Sequence, residues 1–332
     1  MDLLKKIKSM TTDIGIYQHG KLNQPNPEFG YALEDQARAL IVASELEDKR
    51  LQKIYLDFIL NAKRKDGLLY HFYYENRDDS NGIFKNEENN SRPNIQEASG
   101  ITLWSLLTLP DNRENKGGTE EIIKNLMNDA FNWTSPRAIS AALLGLVQLS
   151  NESNLEILLK KKLHNLYFDS HDENWIWFEN YLVYANAIIP WSLWELYLKR
   201  NCKTSFEIAG KTTDFLLQTC SINNIPAPVG NKGWCHKGGI KAIYDQQPID
   251  AAYMVCCLEK AYNATSSKHY LDWAKKWYEW FLGNNIHHIS LISKDFACFD
   301  GLTAAGVNHN QGAESNICFI MAYLAAKRLS II

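Results

Sequence analysis

The feature that most constrains the fold is the spacing of apolar residues, which recur at intervals of three and four along most of the 332 residues. This spacing places apolar side chains on one face of an α-helix, whereas the strict alternation of a half-buried strand is scarce. Start and stop signals predict a short helix at 2–9 and eleven long ones. The long helices are expected at 34–47, 50–63, 95–109, 119–132, 135–150, 153–167, 180–200, 205–219, 248–263, 267–283 and 313–329. The chain is therefore predicted to be all-α.

Alternate helices differ in kind. Those that begin near 34, 95, 135, 180, 248 and 313 are apolar or small on most faces, which is typical of buried helices, whereas the intervening ones carry Lys and Glu along one stripe. Six buried helices alternating with six amphipathic ones predict an (α/α)6 toroid, in which an outer ring surrounds an inner ring. An open α-solenoid is the alternative, but its repeats would be more regular. We expect one domain over 1–332.

Composition and motifs exclude several classes of function. The net charge of -3, with Lys and Arg dispersed, gives no footprint for nucleic acid. Seven scattered cysteines fit buried free thiols better than disulfides or a metal site. No HExxH, EF-hand or CxxC motif occurs, so no metal or cofactor is predicted. The start MDLLKKIKSM lacks the apolar run of a secretory signal and no stretch has membrane-spanning length, so we expect a cytoplasmic protein without a membrane partner.

Long loops predict where the functional site of this chain is located. The segments 10–33, 64–94, 168–179, 220–247 and 284–312 each precede an inner helix, so in a toroid they would gather at one end of the ring. Polar residues also concentrate where the inner helices are predicted to begin. The chain has 10 Trp, 16 Tyr and 13 Phe, many beside acidic or amide residues. Such pairs suit sugar faces and hydroxyls, although a large helical core also uses aromatics. We expect a funnel lined by carboxylates and aromatics.

Five carboxylates at these positions are candidates for catalysis. Hydrolysis of a glycosidic bond needs one protonated carboxyl group and a second, ionised one, and a ring of carboxylates can separate their pKa values. We expect two of the five to act: Asp35, Glu97, Glu179, Asp250 and Glu314. Each has an alternative role as a helix cap or as a partner of the helix dipole. The sequence does not select the pair, or retention against inversion.

A second set of polar and aromatic residues is predicted to bind substrate. It comprises His19, Arg38, Arg137, Trp177, Tyr184, Trp234, Gln246, Gln247, Asn308 and Asn310. His19 could equally be a structural histidine. Arg38 lies in a helix predicted to be buried and needs a partner, which Asp35 at i−3 can supply. That pairing would give both residues a structural role.

Five ordered motifs resemble a known family. They are Gly30-Tyr-Ala-Leu-Glu-Asp-Gln-Ala-Arg-Ala-Leu40, Ser135-Pro-Arg-Ala138, Trp177-Phe-Glu179 with Tyr184-Ala-Asn186, Asp245-Gln-Gln-Pro-Ile-Asp250 and Asn310-Gln-Gly-Ala-Glu-Ser315. Together they are similar to a bacterial family of six-hairpin glycosidase-like proteins, often encoded beside or fused to glycosyltransferases and mannoside phosphorylases. The resemblance implies the toroid fold, a carbohydrate context and a glycosyltransferase as a partner. Two helix starts depart from the family pattern, at Glu34-Asp35-Gln36 and at Glu97-Ala-Ser-Gly100.

The leading functional hypothesis is a glycoside hydrolase that acts on a cytoplasmic oligosaccharide, with mannose-type sugars favoured by the family context alone. A sugar epimerase on the same fold is an alternative, and it would need paired histidines as bases. A non-catalytic carbohydrate-binding or scaffolding partner of a glycosyltransferase is another. One fold hosts many activities, so the pattern of helices does not decide among them.

Overall fold

The computed structural model describes residues 3–75, 82–85, 92–109 and 118–332, and these residues form twelve α-helices. The helices are α1 Lys5–Met10, α2 Leu33–Glu45, α3 Lys49–Asn61, α4 Arg92–Leu107, α5 Thr119–Ala130, α6 Pro136–Leu146, α7 Asn154–Ser170, α8 Ile188–Arg200, α9 Lys203–Thr219, α10 Pro248–Thr265, α11 Lys268–Phe281 and α12 Ala313–Arg328. Each predicted helix is present. Within the described residues, no helix combines the length and apolar character that a membrane crossing needs.

Helix starts follow local capping chemistry. The Asp48 side chain accepts the Leu51 N–H at 3.1 Å at the start of α3. Ser135 caps α6 by accepting the Ala138 N–H, and Pro136 occupies the first helical position. Both arrangements satisfy backbone donors that have no partner within the helix.

One predicted start is wrong, because α8 begins at Ile188 and not near 180. The preceding residues form strand β6, Tyr181–Leu182, which pairs with a strand some fifty residues further along the chain, Cys235–His236. The Asn186 side chain then bonds both backbone groups of Val183 in a turn. The apolar spacing of this segment carries no information about so distant a strand partner.

Burial separates the two predicted kinds of helix. Every residue of α6 is buried, and α10 is buried from Pro248 to Glu259. In α11 burial is confined to residues three and four apart, such as Tyr270, Ala274 and Trp277. The alternation of apolar and amphipathic helices read from the sequence is thus present in the structure.

The chain forms two compact units, and the first comprises 1–159 with 312–317. In this unit α2 packs against α3 and α4, and α4 packs against α5 and α6. Two glycines permit the close approach of α4 and α6. A Cβ at Gly100 would lie 2.6 Å from the Ala138 carbonyl oxygen, and one at Gly145 would lie 2.8 Å from the Trp104 Cα. Substituting either glycine would push the helices apart.

The second unit comprises 160–311 with 318–332, and in it α8 packs against α9 and α10 while α10 packs against α9 and α11. The single domain over 1–332 stays a prediction.

The second unit contains four charged residues that we call the Lys260 cluster: Glu195, Glu259, Lys260 and Arg328. Arg328 donates to both carboxylate oxygens of Glu259 at 2.7 Å, and Lys260 Nζ lies 3.2 Å from Glu195. The sequence analysis did not predict this cluster.

Short antiparallel strands lie within the long loops. They are β1 Gly20–Lys21, β2 Gln24–Pro25, β3 Tyr31–Ala32, β4 Phe72–Tyr74, β5 Ile83–Lys85, β6 Tyr181–Leu182, β7 Ser221–Ile222, β8 Ile225–Pro226, β9 Cys235–His236, β10 Gly301–Thr303 and β11 Gly306–Asn308. Their order is β1-β2, β3-β4-β5, β6-β9, β7-β8 and β10-β11. All seven cysteines are free and six are buried, as predicted. The strands fix the loops that lead into the inner helices.

Candidate active site

The first turns of α2 and α12 bring three carboxylates to one guanidinium, a group that we call the Arg38 cluster: Glu34, Asp35, Arg38 and Glu314. Arg38 Nη1 lies 3.2 Å from Asp35 Oδ1 and 3.2 Å from Glu314 Oε2. Its Nη2 lies 3.4 Å from Glu34 Oε2. The predicted i−3 pair of Asp35 with Arg38 is therefore present, and it is joined by a carboxylate from a helix some 280 residues away.

The three carboxylates of the Arg38 cluster have different environments. The Asp35 side chain is 4% exposed, whereas those of Glu34 and Glu314 are 35% and 36% exposed. Burial raises the pKa of Asp35 well above its ordinary value, Arg38 opposes that rise, and the charges of Glu34 and Glu314 add to it. Asp35 is thus held as a neutral acid over a pH range in which an ordinary aspartate is ionised.

The loop before α2 holds the Arg38 cluster in place. The Gln36 side chain accepts the Ile16 N–H at 2.8 Å and donates to the Ile16 carbonyl at 2.8 Å. The Ala313 N–H donates to the Gln18 carbonyl at 3.0 Å, which ties the start of α12 to the same loop. Neighbouring hydroxyls of Tyr17 and Tyr31 donate to Glu75. The helix starts that carry the carboxylates are therefore fixed by buried polar contacts.

Glu97 has a structural task at the start of α6. It accepts a hydrogen bond from the Ser135 hydroxyl at 2.8 Å, while the adjacent Gln96 accepts the Thr134 and Ser135 N–H groups at 2.8 and 2.9 Å. Arg137, in the first turn of α6, is 5% exposed. Because α4 begins at Arg92, Glu97 is not in the first turn of its helix and its predicted position is wrong. Its contact with the Ser135 hydroxyl is not a cap of its own helix start.

The predicted aromatic residues of the second unit divide into buried and accessible rings. Trp177 is fully buried, with ring centroids 5.2 Å from Phe178 and 6.4 Å from Phe215. The expectation that its ring stacks on a sugar is therefore corrected to a role in the core. Tyr184 and Trp234 are only partly buried, and their centroids lie 6.1 Å apart. This pair can present ring surface to a ligand.

Glu179 precedes strand β6 and is not in the first turn of a helix, so that its predicted position is wrong. Its carbonyl accepts the Trp175 indole N–H at 2.6 Å, and its side chain is partly exposed. Because no helix begins at this position, Glu179 has no helix start to cap and no helix dipole to compensate.

The start of α10 carries one satisfied amide and two further candidates. Gln246 is fully buried, accepts the Trp280 indole N–H at 3.2 Å and donates to the Ile243 carbonyl at 3.0 Å. Its side chain is thus committed to the protein. The side-chain amide oxygen of Gln247, Oε1, is buried and has no hydrogen-bond partner among the residues that the structure describes. Asp250, 7% exposed, lies in the first turn of α10.

The remaining predicted residues lie outside the helices, and Asn308 is the last residue of β11. His19 is exposed and contacts the Phe29 ring edge-on at 4.7 Å. Asn308 accepts the Asn310 N–H at 3.2 Å through its side chain, in the segment that leads to α12. Within the described parts of the chain, no three His, Cys, Asp or Glu side chains are grouped so as to hold a metal ion. The convergence of the residues of the first and second units on one funnel stays a prediction.

Similarity to known proteins is confined to structure. No protein-family profile and no curated protein matches the sequence. The cellobiose 2-epimerase from Bacillus thermoamylovorans B4167 has a TM-score of 0.70 at 9% identity, over 99% of this chain and 96% of that one. A D-mannose isomerase has a TM-score of 0.66 at 10% identity, over 98% and 96%. An alpha-amylase from Clostridium perfringens has a TM-score of 0.59 at 12% identity, over 96% and 95%.

These likenesses establish the class of fold. The chain is an all-α protein with the (α/α)6 toroid fold, as predicted. Its structural neighbours are sugar epimerases, isomerases and glycosidases, so the fold is one on which carbohydrate chemistry occurs. At 9–12% identity the likeness shows the fold alone, and the activity has to be argued from the site.

Proposed function

We propose that this chain is a carbohydrate-active enzyme that hydrolyses glycosidic bonds, with the Arg38 cluster as its catalytic centre. The observation that carries the proposal is the environment of Asp35, a buried carboxyl group with a raised pKa that shares Arg38 with two more exposed carboxylates. Glycoside hydrolysis needs such a division, with one carboxyl group protonated and a second available to attack or to activate water.

In the proposed mechanism Asp35 is the general acid and Glu314 is the second carboxylate. Asp35 protonates the leaving oxygen while Glu314 attacks the anomeric carbon, and the glycosyl ester is then hydrolysed by a water that Asp35 deprotonates. Arg38 orients both groups, because its Nη1 lies 3.2 Å from an oxygen of each. It also stabilises the negative charge that returns to Asp35 when the proton leaves.

The geometry around Arg38 favours retention of configuration. Two oxygens that each lie 3.2 Å from one nitrogen are separated by at most twice that distance. Retaining enzymes place their carboxyl groups roughly 5–5.5 Å apart, and inverting enzymes need roughly 6.5–9.5 Å to admit a water. The first product is therefore expected to keep the anomeric configuration of the substrate.

The experiment that tests this proposal follows reducing-sugar release from α- and β-linked manno-, gluco- and galacto-oligosaccharides, with proton NMR of the product formed first. Glu314→Gln should abolish release because the variant lacks the carboxylate proposed to attack the anomeric carbon. Glu279→Gln is the control, since Glu279 is a partly exposed carboxylate paired with Lys275 at 3.9 Å on α11 and is not among the candidate site residues. The assignment of the Arg38 cluster fails if Glu314→Gln is as active as wild type. The retaining mechanism fails if the first product is inverted.

A sugar epimerase or isomerase is the second candidate, supported by the structural likeness to the cellobiose 2-epimerase and the D-mannose isomerase. Such a reaction removes a proton from the carbon beside a carbonyl group, whereas hydrolysis leaves carbon-bound hydrogen in place. Incubating cellobiose and mannose in deuterium oxide separates the two activities. Incorporation of deuterium at C2 of the sugar would show epimerase or isomerase activity and contradict the hydrolase proposal.

A third outcome is binding without any reaction. If calorimetry detects oligosaccharide binding while neither release nor deuterium incorporation occurs, the non-catalytic role takes precedence. The chain would then be a carbohydrate-binding partner, and a glycosyltransferase is the partner to test first by co-purification from cells that produce both proteins.

A further inference from the structure

A cleft of about 760 Å³ lies in the second unit. Its lining residues fall between 172 and 241 and include no member of the Arg38 cluster. Its volume is within the range of about 300–1,000 Å³ found for small-molecule sites. Trp175 and Phe215, with ring centroids 5.3 Å apart, supply the apolar part of its lining. Asp172, Asn174, Lys237 and Lys241 supply polar groups. A cleft with an apolar wall and a few convergent polar groups has the composition of a ligand site.

The two lysines of the cleft differ in how their charge is compensated. Lys237 Nζ lies 2.8 Å from Asp172 Oδ2 and also donates to the Ser170 carbonyl at 2.9 Å. Lys241 Nζ donates to the Ala227 carbonyl at 2.8 Å, and no carboxylate of residues 3–75, 82–85, 92–109 or 118–332 lies within ion-pair distance of it. A half-buried ammonium group bonded to a neutral carbonyl is incompletely compensated.

The pKa of Lys241 agrees with this description. Burial lowers it, while the Cys220 and Cys235 thiols oppose the change. A negative charge in the cleft would reverse the effect of burial, because an adjacent anion favours the charged form of an amine. The site therefore gains most from a ligand that brings an anionic group to Lys241.

The loop that carries both lysines is fixed by backbone hydrogen bonds. The Ala242 N–H donates to the Trp234 carbonyl at 2.8 Å, and the Gly239 N–H donates to the His236 carbonyl at 2.8 Å. Gly238 has a φ of 74°, in the left-handed region that glycine tolerates best. The Lys237 N–H donates to the Asn180 carbonyl at 2.9 Å, so the loop is also tied to the segment before β6. The two ammonium groups are presented by a preformed loop.

We propose that this cleft binds a small polyhydroxylated anion, a sugar phosphate or a uronate, with its anionic group on Lys241. The hydroxyls of the ligand donate to Asp172 and accept from Asn174, and its apolar face lies on Trp175 and Phe215. The mixed charge of the lining explains the choice, since Asp172 and the exposed Glu173 would repel a ligand that is anionic throughout. The site concerns binding alone and does not depend on the catalytic proposal.

The test compares four probes by calorimetry on the whole chain: glucose 6-phosphate, glucuronate, glucose and inorganic phosphate. We expect saturable binding of one or both of the sugar anions, and weaker binding of glucose and of phosphate. Lys241→Met should weaken that binding about tenfold or more, the equivalent of losing one charge-assisted hydrogen bond. Lys232→Met is the control, because the Lys232 side chain is 68% exposed and does not line the cleft.

A second measurement keeps the proposal testable if Lys241→Met is unstable. Trinitrobenzenesulfonate modifies unprotonated amines, so Lys241 in wild type should react faster than exposed lysines, as mapped by mass spectrometry. The bound sugar anion should protect Lys241 and leave Lys232 reactive. Equal binding of glucose and of both sugar anions, no binding of any probe, or no protection of Lys241 would each overturn the proposal. The preferred probe distinguishes a phosphate ligand from a carboxylate ligand.

Discussion

The Arg38 cluster and the Lys260 cluster are both partly buried groups of ion pairs on inner helices, yet their charges are arranged differently. In the Arg38 cluster three carboxylates share one guanidinium, at 3.2–3.4 Å. In the Lys260 cluster two carboxylates face two cations, and the contacts of Arg328 with Glu259 are bidentate at 2.7 Å. The first arrangement leaves a carboxyl group that is easier to protonate, whereas the second satisfies every member.

The pKa directions in the two clusters follow from this difference. In the Arg38 cluster, burial and two like charges outweigh the arginine and raise the pKa of Asp35. In the Lys260 cluster, burial lowers the pKa of Lys260, but the charges of Glu195 and Glu259 outweigh it and the net pKa is raised. Asp35 is thus driven towards its neutral form and Lys260 towards its charged form. Perturbation towards a neutral acid is typical of catalysis, and a compensated network is typical of structure.

The largest effect is expected from Asp35→Asn, which removes the proton donor while keeping the shape of the side chain. Turnover of any oligosaccharide that wild type cleaves should fall about 10²- to 10⁴-fold, the usual contribution of a general acid. Thermal unfolding should change little, because the neutral amide resembles the neutral acid. Asp57→Asn, an exposed member of an i,i+4 pair, should retain wild-type turnover. Full activity of Asp35→Asn would contradict the catalytic role of the Arg38 cluster.

The next effect belongs to the Lys260 cluster. Glu259→Gln leaves Arg328 and Lys260 with less compensation in a site where Glu259 is 3% exposed. The free energy of unfolding should fall by about 3 kcal/mol, as measured by chemical denaturation. Glu279→Gln, in a surface pair 3.9 Å from Lys275, should change it by less than about 0.5 kcal/mol. Similar values for the two variants would mean that the Lys260 cluster is not a structural network.

The two clusters should affect the free energy of unfolding in two different pH ranges. Asp35 has a folded pKa above its ordinary 3.8, so its contribution is complete below that value and is lost as pH rises through the folded pKa. Lys260 has a folded pKa above 10.5, so its contribution is complete below 10.5 and is lost at higher pH. Each slope is at most about 1.4 kcal/mol per pH unit. Denaturation across pH should show the acid-side slope disappear in Asp35→Asn and the alkaline slope disappear in Lys260→Met.

The smallest change in stability is expected from Glu34→Gln. The Glu34 side chain is 35% exposed and 3.4 Å from Arg38, so its loss should change the free energy of unfolding by less than about 0.5 kcal/mol. Its charge raises the pKa of Asp35, and removing it should move the alkaline limb of the pH–activity profile to lower pH. Glu45→Gln, exposed at the other end of α2, should leave the profile in place. A shift to higher pH would contradict the electrostatic account of Asp35.

Several parts of the fold and site could be predicted because their causes are local. Helix spacing and the i−3 pairing of Asp35 with Arg38 involve residues within one or two turns. The Lys260 cluster was missed although a signal was present, because Glu259 and Lys260 stand in a helix that is otherwise apolar. A charged residue in such a helix needs a partner, and the search for one would have led to Glu195 in the preceding inner helix.

The sequence by itself determined the twelve helices, their alternation between apolar and amphipathic faces and the enrichment of polar residues before the inner helices, since periodicity and capping act over a few residues. Only the tertiary structure decided that Glu314 joins Asp35 at Arg38, that Trp177 belongs to the core and that residues 181–182 form a strand. These facts depend on contacts between residues tens to hundreds of positions apart. Local pattern does not encode such contacts, because they arise only when whole helices and loops pack together.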